Sequence, residues 1–315
     1  GRRHRGRGPR HQPAIASGVR AVALRQEPPP LLVAERVNAT GSRRVKRLLL
    51  AEDYDGILQV AREQLEGNAH ALDVCVALTE RADERAQMEQ VVKKLALGVE
   101  APLVIDSTEP EVHIAALELY PGRAVVNSIN LENGTQKLAA LLPAVVEHGA
   151  VVVALTIDEQ GMALTAERKL AIARRIYDIC TQEYGLAPED LIVDVLTFPL
   201  TTGQEEYRTS ALETLEGIRR VKAELPGVFT ILGVSNVSFG VAPHARRVLN
   251  SVFLHHAVAA GLDLAILHAA QVVPYHEIDP EQRALCEDLI FNRRADALVR
   301  FIAYFERHVP APTEA

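Results

Sequence analysis

Short apolar runs alternate with amphipathic segments along most of this chain. Eight runs have the length and β-rich content of buried strands: Leu31–Glu35, Ala71–Val76, Leu103–Asp106, Ala124–Asn127, Ala150–Thr156, Leu191–Val195, Thr230–Val234 and Leu264–Leu267. Amphipathic, helix-like segments cover Tyr54–Glu66, Asp83–Leu97, Glu111–Leu119, Thr135–His148, Thr165–Tyr184, Ser210–Glu224, Pro243–Ala260 and Pro280–Phe305. Gly149, Gly185 and Gly261 stand where helices end before the next strand. Ser107 and Asp158 stand just past strands, where turn or N-cap residues belong. Eight β/α units in series predict an α/β fold: an eight-stranded parallel (β/α)8 TIM barrel over residues 31–309. The alternative, a doubly wound sheet, calls for a glycine-rich loop after its first strand, and neither GxGxxG nor a P-loop motif occurs.

Four of the apolar runs stop on a carboxylate or a carboxamide: LVIDS at Asp106, AVVNS at Asn127, LIVDV at Asp194 and ILGVSN at Asn236. In a parallel barrel such strand ends open onto one face, and that face holds the active site. Two Asp and two Asn converging there suit a neutral, planar, nitrogen-rich ring. For Asp106, Asn127 and Asp194 the alternative is helix capping. Asn236 sits in GVSNVSFG, where a Ser-Asn pair interrupts an apolar run between Gly233 and Gly240. Its alternative is a structural hydrogen-bond hub. The polar stretch from Glu35 to Ser42 reads either as part of the site or as an ordinary βα loop. Asp73, between Leu72 and Val74, must point at a partner, because an unpaired buried carboxylate is costly. His255 and His256 read as packed or surface residues, while His268, after the last strand, is within reach of the site. There is no HxxxH, HExxH or Cys/His cluster, so no metal site is expected. GxSxG and DxHxxG are absent too.

Composition narrows the classes. A length of 315 residues suits one such barrel, and 48% apolar with 24% charged residues is a globular balance. No apolar stretch approaches the ~18 residues of a membrane span, and no secretory signal opens the chain. Three scattered cysteines, Cys75, Cys180 and Cys286, argue against a disulfide framework and for a cytoplasmic home. Residues 1–30 carry seven Arg and one Glu, which leaves −13 of the net −7 on the rest. An acidic body is a poor nucleic-acid binder. The Arg-, Gly- and Pro-rich residues 1–30 read as a linker or arm that allows a short helix over Ala14–Leu24; residues 310–315 read as a tail.

From about Leu31 to Val309 the chain resembles the folate-binding barrel of cobalamin-dependent methionine synthase, within the wider pterin-binding family. The motifs are ERVNATGSR (35–43), VIDST (104–108), VVNSI (125–129), DEQG (158–161), TGQEE (202–206), GVSNVSFG (233–240) and FNRR (291–294). DEQG and TGQEE favour the methionine-synthase branch over the stand-alone corrinoid methyltransferases. The chain departs from its relatives at Cys75, where they usually have Asn, at Val195, where Pro is common, and at His268, where Asn or Asp is more frequent.

The resemblance implies a substrate, 5-methyltetrahydrofolate, whose N5 methyl group passes to cob(I)alamin carried by a separate domain or protein. It implies that Asp106, Asn127 and Asp194 hold the pterin ring, with Ser128 beside Asn127, and that Asn236 approaches N5 as the catalytic residue. Glu35 and Asn38 match the polar loop at the barrel mouth. The length leaves no room for the homocysteine, cobalamin and reactivation domains, so the chain is expected to be a module of a larger multidomain protein, with no membrane partner. A stand-alone methyltetrahydrofolate:corrinoid protein methyltransferase and a non-catalytic folate-binding module remain as alternatives. A dihydropteroate-synthase chemistry fits less well, because the late barrel offers few cations for a diphosphate: Arg246, Arg247, Arg293 and Arg294.

Overall fold

The computed structural model describes residues 12–310. Eight parallel strands close into a barrel: β1 Leu31–Asn38, β2 Ala71–Cys75, β3 Leu103–Asp106, β4 Val125–Ile129, β5 Val151–Leu155, β6 Leu191–Asp194, β7 Phe229–Gly233 and β8 Leu264–Leu267. The (β/α)8 expectation holds. Around the strands lie helices α1 Arg43–Leu50, α2 Tyr54–Glu66, α3 Glu84–Gly98, α4 Pro110–Leu119, α5 Gln136–His148, α6 Ala166–Asp178, α7 Ser210–Glu224, α8 Pro243–Ala260, α9 Pro280–Ile290 and α10 Ala297–Arg307. None is long and apolar enough to cross a membrane.

Strand parity connects the sequence to the site. Val33, Ala71, Val104, Val125, Ile192 and Ile231 pack together inside the barrel, while Leu72, Leu103, Ile105, Val126 and Val193 pack outward against the helices. Side chains alternate along a strand. The parity that buries Ala71, Val104, Val125 and Ile192 therefore turns Asp73, Asp106, Asn127 and Asp194 inward, nearer the C-terminal mouth.

The opposite end is closed by residues read from sequence as an arm. The expected helix over Ala14–Leu24 is absent. Strands Ala14–Ala16 and Ala21–Ala23 form an antiparallel hairpin instead, with Ile15 opposite Val22. The Ser17 hydroxyl turns the chain by accepting from the N–H groups of Val19 and Arg20. Ile15 and Leu24 are wholly buried in the same cluster as Leu31, Val33 and Val104. Residues 12–30 are thus part of the barrel domain rather than a linker, because their apolar side chains fill its floor. The first eleven residues of the basic arm, and the tail from 311, lie outside the described residues.

Other boundaries shift for local reasons. Strand β1 runs on to Asn38 through an irregularity between Ala34 and Val37, so Glu35 and Asn38 are strand residues, not loop. Helix α1 was not expected; Ser42 caps it by accepting from the Val45 N–H. The segment Pro280–Phe305 splits into α9 and α10, where Asn292 takes a left-handed φ of 47°. Segment Thr165–Tyr184 is α-helical only to Asp178 and ends in a π turn, Ile179–Glu183.

Candidate functional site

At the mouth, polar side chains from β1 to β4 form one network. Asp106 and Asn127 are register partners on β3 and β4. Asp73, 2% exposed, accepts from Asn38 Nδ2 at 3.2 Å and from Asn127 Nδ2 at 3.5 Å. Asn38 Oδ1 in turn accepts from the N–H and hydroxyl of Thr40 and from the Gly41 N–H, which fixes the loop after β1. Burial drives the Asp73 carboxyl well above the usual range, and the neighbouring Asp106 drives it further; the two amide donors pull back. Asp106 is pushed up to about 6, first by burial and then by the Glu84 charge, with Lys137 opposing. Two buried carboxyls so placed cannot both ionise cheaply. Cys75, two residues beyond Asp73 on β2, is pushed up to about 12 by burial and by Asp106, so it stays a thiol.

Capping does not explain these residues. The N-cap of α4 is Glu109, and Ser107 makes the local turn bonds, accepting from the Glu109 N–H and donating to Glu84. The N-cap of α5 is Thr135, far along the loop from Asn127. Ser128 follows Asn127 in β4 and is buried.

Asp194 and Asn236 share a second feature, a cleft of about 660 Å³ at the ends of β5, β6 and β7. Asp194 ends β6, and burial pushes it up to about 6. Its Oδ1 accepts from the Leu196 N–H at 2.8 Å. Leu196 has a φ of 72°, a left-handed conformation that a branched residue rarely adopts. The Thr214 hydroxyl holds it further by donating to the Leu196 carbonyl at 2.8 Å. Such strain persists only where the surroundings over-determine it, and it clusters at functional sites. Asn236 lies three residues beyond β7, inside the short 3-10 helix Val234–Ser238, rather than on a strand end. Its Nδ2 donates to the Thr197 carbonyl at 2.5 Å. It thereby ties the loop after β6 to the loop after β7, as the structural reading expects. Met162 and Phe239, 50% and 60% exposed, stand on the cleft rim. Glu35 stands on the far side of the Val234–Ser238 helix and accepts from the Ser235 hydroxyl at 3.1 Å.

The motifs outside these clusters are mostly scaffold. DEQG makes a small hairpin that carries Met162 to the rim, with Asp158 anchored by Arg168 at 2.7 Å. In FNRR, Asn292 accepts from Arg208 Nε at 2.9 Å. His255 and His256 pack on Tyr275, and His256 meets Glu287 at 2.9 Å, on α8 and away from the mouth. Among the described residues no group of three His, Cys, Asp or Glu could hold a metal ion.

Sequence reasoning passed over Lys169. It is wholly buried beneath the cleft, on the apolar stripe of α6 with Ala166, Ile172, Ala173 and Ile176. Its Nζ donates to the carbonyls of Ala163, at 3.0 Å, and Val195, and lies 5.1 Å from the Phe198 ring centre. Gly217 makes room, since a Cβ there would come within 2.8 Å of Lys169 Cδ. Burial lowers the ammonium to about 8, against the pull of Asp194 and Glu213. The signal was available: a lone lysine at i, i+3, i+4 and i+7 from apolar residues points inward.

A family profile described as "Pterin binding enzyme" matches residues 34–268. The chain is 43% identical over 296 residues to the methionine synthase of Mycobacterium leprae (strain TN), covering 92% of this chain and 24% of that protein. It is 42% identical over 302 residues to the methionine synthase of Mycobacterium tuberculosis (strain ATCC 25618 / H37Rv), covering 94% and 25%. It thus spans about a quarter of the length of these relatives. Among solved structures, a Xanthomonas albilineans dihydropteroate synthase in complex with indole-2-carboxylic acid and 6-chloroguanine superposes with a TM-score of 0.59 at 17% identity, over 95% of this chain and all of that one. A Yersinia pestis DHPS with a pterine-sulfa conjugate gives 0.57 at 17%, over 87% and 97%. These two likenesses speak for the barrel alone. The family profile and the methionine synthase relatives carry the assignment further: this chain belongs to the pterin-binding enzymes.

Proposed function

We propose that the chain binds 5-methyltetrahydrofolate at the barrel mouth and promotes transfer of its N5 methyl group to cob(I)alamin, as the folate module of a methionine synthase. The observation that carries this reading is the inward turn of Asp106, Asn127 and Asp194 at one face, beside Asn236, in a chain 42–43% identical to methionine synthases. The reduced pterin presents an amino group and ring N–H donors next to acceptors. Asp106 and Asp194 accept from the donors, and Asn127 can both donate and accept. A site built to satisfy those bonds rejects ligands that lack them. Cob(I)alamin, held on a separate domain, supplies the nucleophile that takes the methyl group.

Asn236 has a specific part. A carbonyl oxygen only accepts, so the amide must present Nδ2 to Thr197 and keep Oδ1 toward the cleft. N5 is a tertiary amine and a poor leaving group until it is protonated. The incoming proton forms the N5–H bond on the N5 lone pair, this N5–H donates to Asn236 Oδ1, and as the methyl carbon leaves the C–N electron pair stays on N5 as its new lone pair. An amide has no proton to give near neutral pH, so the proton reaches N5 through water. The contact strengthens toward the transition state, as rate acceleration requires.

The test is anaerobic. The chain is mixed with 5-methyltetrahydrofolate and free cob(I)alamin, and loss of the cob(I)alamin absorbance is followed. Chain-dependent loss supports methyl transfer. Binding without loss would favour the reading of a folate module that depends on its own cobalamin domain. Absence of both binding and chain-dependent loss would refute the proposal.

A further inference from the structure

Strand β3 ends at Asp106, and the residue that follows is gripped from three sides. Ser107 is buried, and each of its polar groups is tied to a different element. Its N–H donates to the Asn127 carbonyl on β4 at 3.2 Å. Its hydroxyl donates at 2.6 Å to Glu84 Oε1, in the first turn of α3. Its carbonyl meets His113 Nε2, on α4, at 3.0 Å. A carbonyl only accepts, so Nε2 carries the ring proton. Burial lowers His113 to about 4, which keeps the ring neutral. Two features exceed what a turn needs. His113 is wholly buried with Nδ1 lacking any hydrogen-bond partner, and an aliphatic side chain would carry no such costly orphan. Glu84 makes no ion pair among the described residues, and a glutamine would accept the same hydroxyl without a charge.

Both features bear on one carboxyl. Fixing the N–H and the carbonyl of Ser107 fixes the backbone that leaves Asp106, and with it the direction of the Asp106 side chain. We propose that Glu84 and His113 are positioning residues of the pterin site, which act through Ser107 to hold the Asp106 carboxylate where it accepts from the ring donors. This rests on the pterin reading given above and deepens it. The charge on Glu84 has a second effect. Asp106 is faced by Asp73 and Cys75 on β2, Glu84 on α3 and Lys137 on α5. Burial raises the Asp106 carboxyl, Glu84 raises it further and Lys137 opposes. The ionised carboxylate is the form that only accepts, so removing the Glu84 charge should let binding persist to lower pH. Asp194 answers to burial, the Leu196 N–H and Lys169 instead, so its share of the pH profile should stay in place.

The test is equilibrium binding of 5-methyltetrahydrofolate, from acid to neutral pH, to the wild-type chain and to variants at the two positions, with folding checked by circular dichroism. His113→Leu removes the donor to Ser107 and should weaken binding at pH 7.5 about fivefold, the scale of one neutral hydrogen bond. His113→Gln returns an N–H near the place of Nε2 and should recover most of that loss. Glu84→Ala removes the acceptor and should weaken binding to a similar extent. Glu84→Gln keeps the acceptor and should bind more tightly than Glu84→Ala. It should also move the acid limb of the profile down by roughly half a pH unit. If a His113 variant does not fold, the Glu84 pair still decides. Wild-type affinity and an unmoved acid limb in the folded variants, whatever their denaturation midpoints, would reduce both residues to scaffold and overturn the proposal while leaving the pterin reading intact. Failure of the wild-type chain to bind at any pH would sink the pterin reading itself, and this proposal with it.

Discussion

The two ends of the barrel are built from the same eight strands and have opposite chemistry. At the floor, Leu31, Ala71, Val125, Val151 and Leu264 meet the hairpin residues Ile15 and Leu24, and the interior is apolar and filled. At the mouth, β2, β3, β4 and β6 turn Asp73, Asp106, Asn127 and Asp194 inward, with the carboxyls raised above their usual range and Leu196 strained. The floor lowers the free energy of the fold; the mouth raises it. Such a division is expected when a fold invests its stability away from the face where chemistry needs unsatisfied polar groups.

Substitutions at the two ends should therefore fail in different ways. The largest effect belongs to the floor: Ile15→Ala or Leu24→Ala should each lower unfolding free energy by about 2–5 kcal/mol through the cavity left behind. Chemical denaturation measures it, and folate affinity of the folded fraction should not move. At the mouth, Asn236→Ala should slow methyl transfer by about 2–4 kcal/mol, by analogy with loss of a single oxyanion-hole donor. The denaturation midpoint of that variant should change far less than its rate; an unchanged rate would remove Asn236 from the chemistry.

Lys169→Met probes the strut between the two regimes. It removes the donor to the Ala163 and Val195 carbonyls, leaving buried acceptors unpaired at a cost of about 1–3 kcal/mol each. It also removes the cation that favours ionised Asp194. The pH at which folate affinity reaches half its maximum should therefore rise, a shift that a purely structural lysine would not produce.

The smallest effect is in pH. Asp194 titrates at about 6 in the folded chain, above the ordinary 3.8 of an unfolded one. Between those values the folded state binds the extra proton, so the contribution of Asp194 to stability is full below pH 3.8 and is lost as pH rises through about 6. Asp194→Asn should flatten that part of the melting-temperature profile. Ligand binding should run the other way, tightening as pH rises through about 6, because pterin donors need the ionised carboxylate. Parallel rather than opposite trends would break the contrast between the stabilising floor and the functional mouth.

Much of the mouth was legible because strand parity is strict: a run such as LVID places its last residue on the same side as its second. Asp73 was legible as a buried carboxylate that needs a partner, though not the partner itself, because Asn38 is brought to it by the pairing of the neighbouring strands β1 and β2. The hairpin was missed because strands of three residues, AIA and AVA, are too short to show a period of two. Helix α1 was missed because only Val45 and Leu49 of its eight residues are buried.

The most direct measurement is calorimetric titration of 5-methyltetrahydrofolate at pH 7.5 into the wild-type chain, Asp106→Asn and Asp194→Asn, with folding checked by circular dichroism. Binding by the wild-type chain, weakened at least tenfold in each folded variant (about 1.4 kcal/mol or more), is the expected result. Wild-type affinity in both variants would contradict the assignment of the barrel mouth as the pterin site.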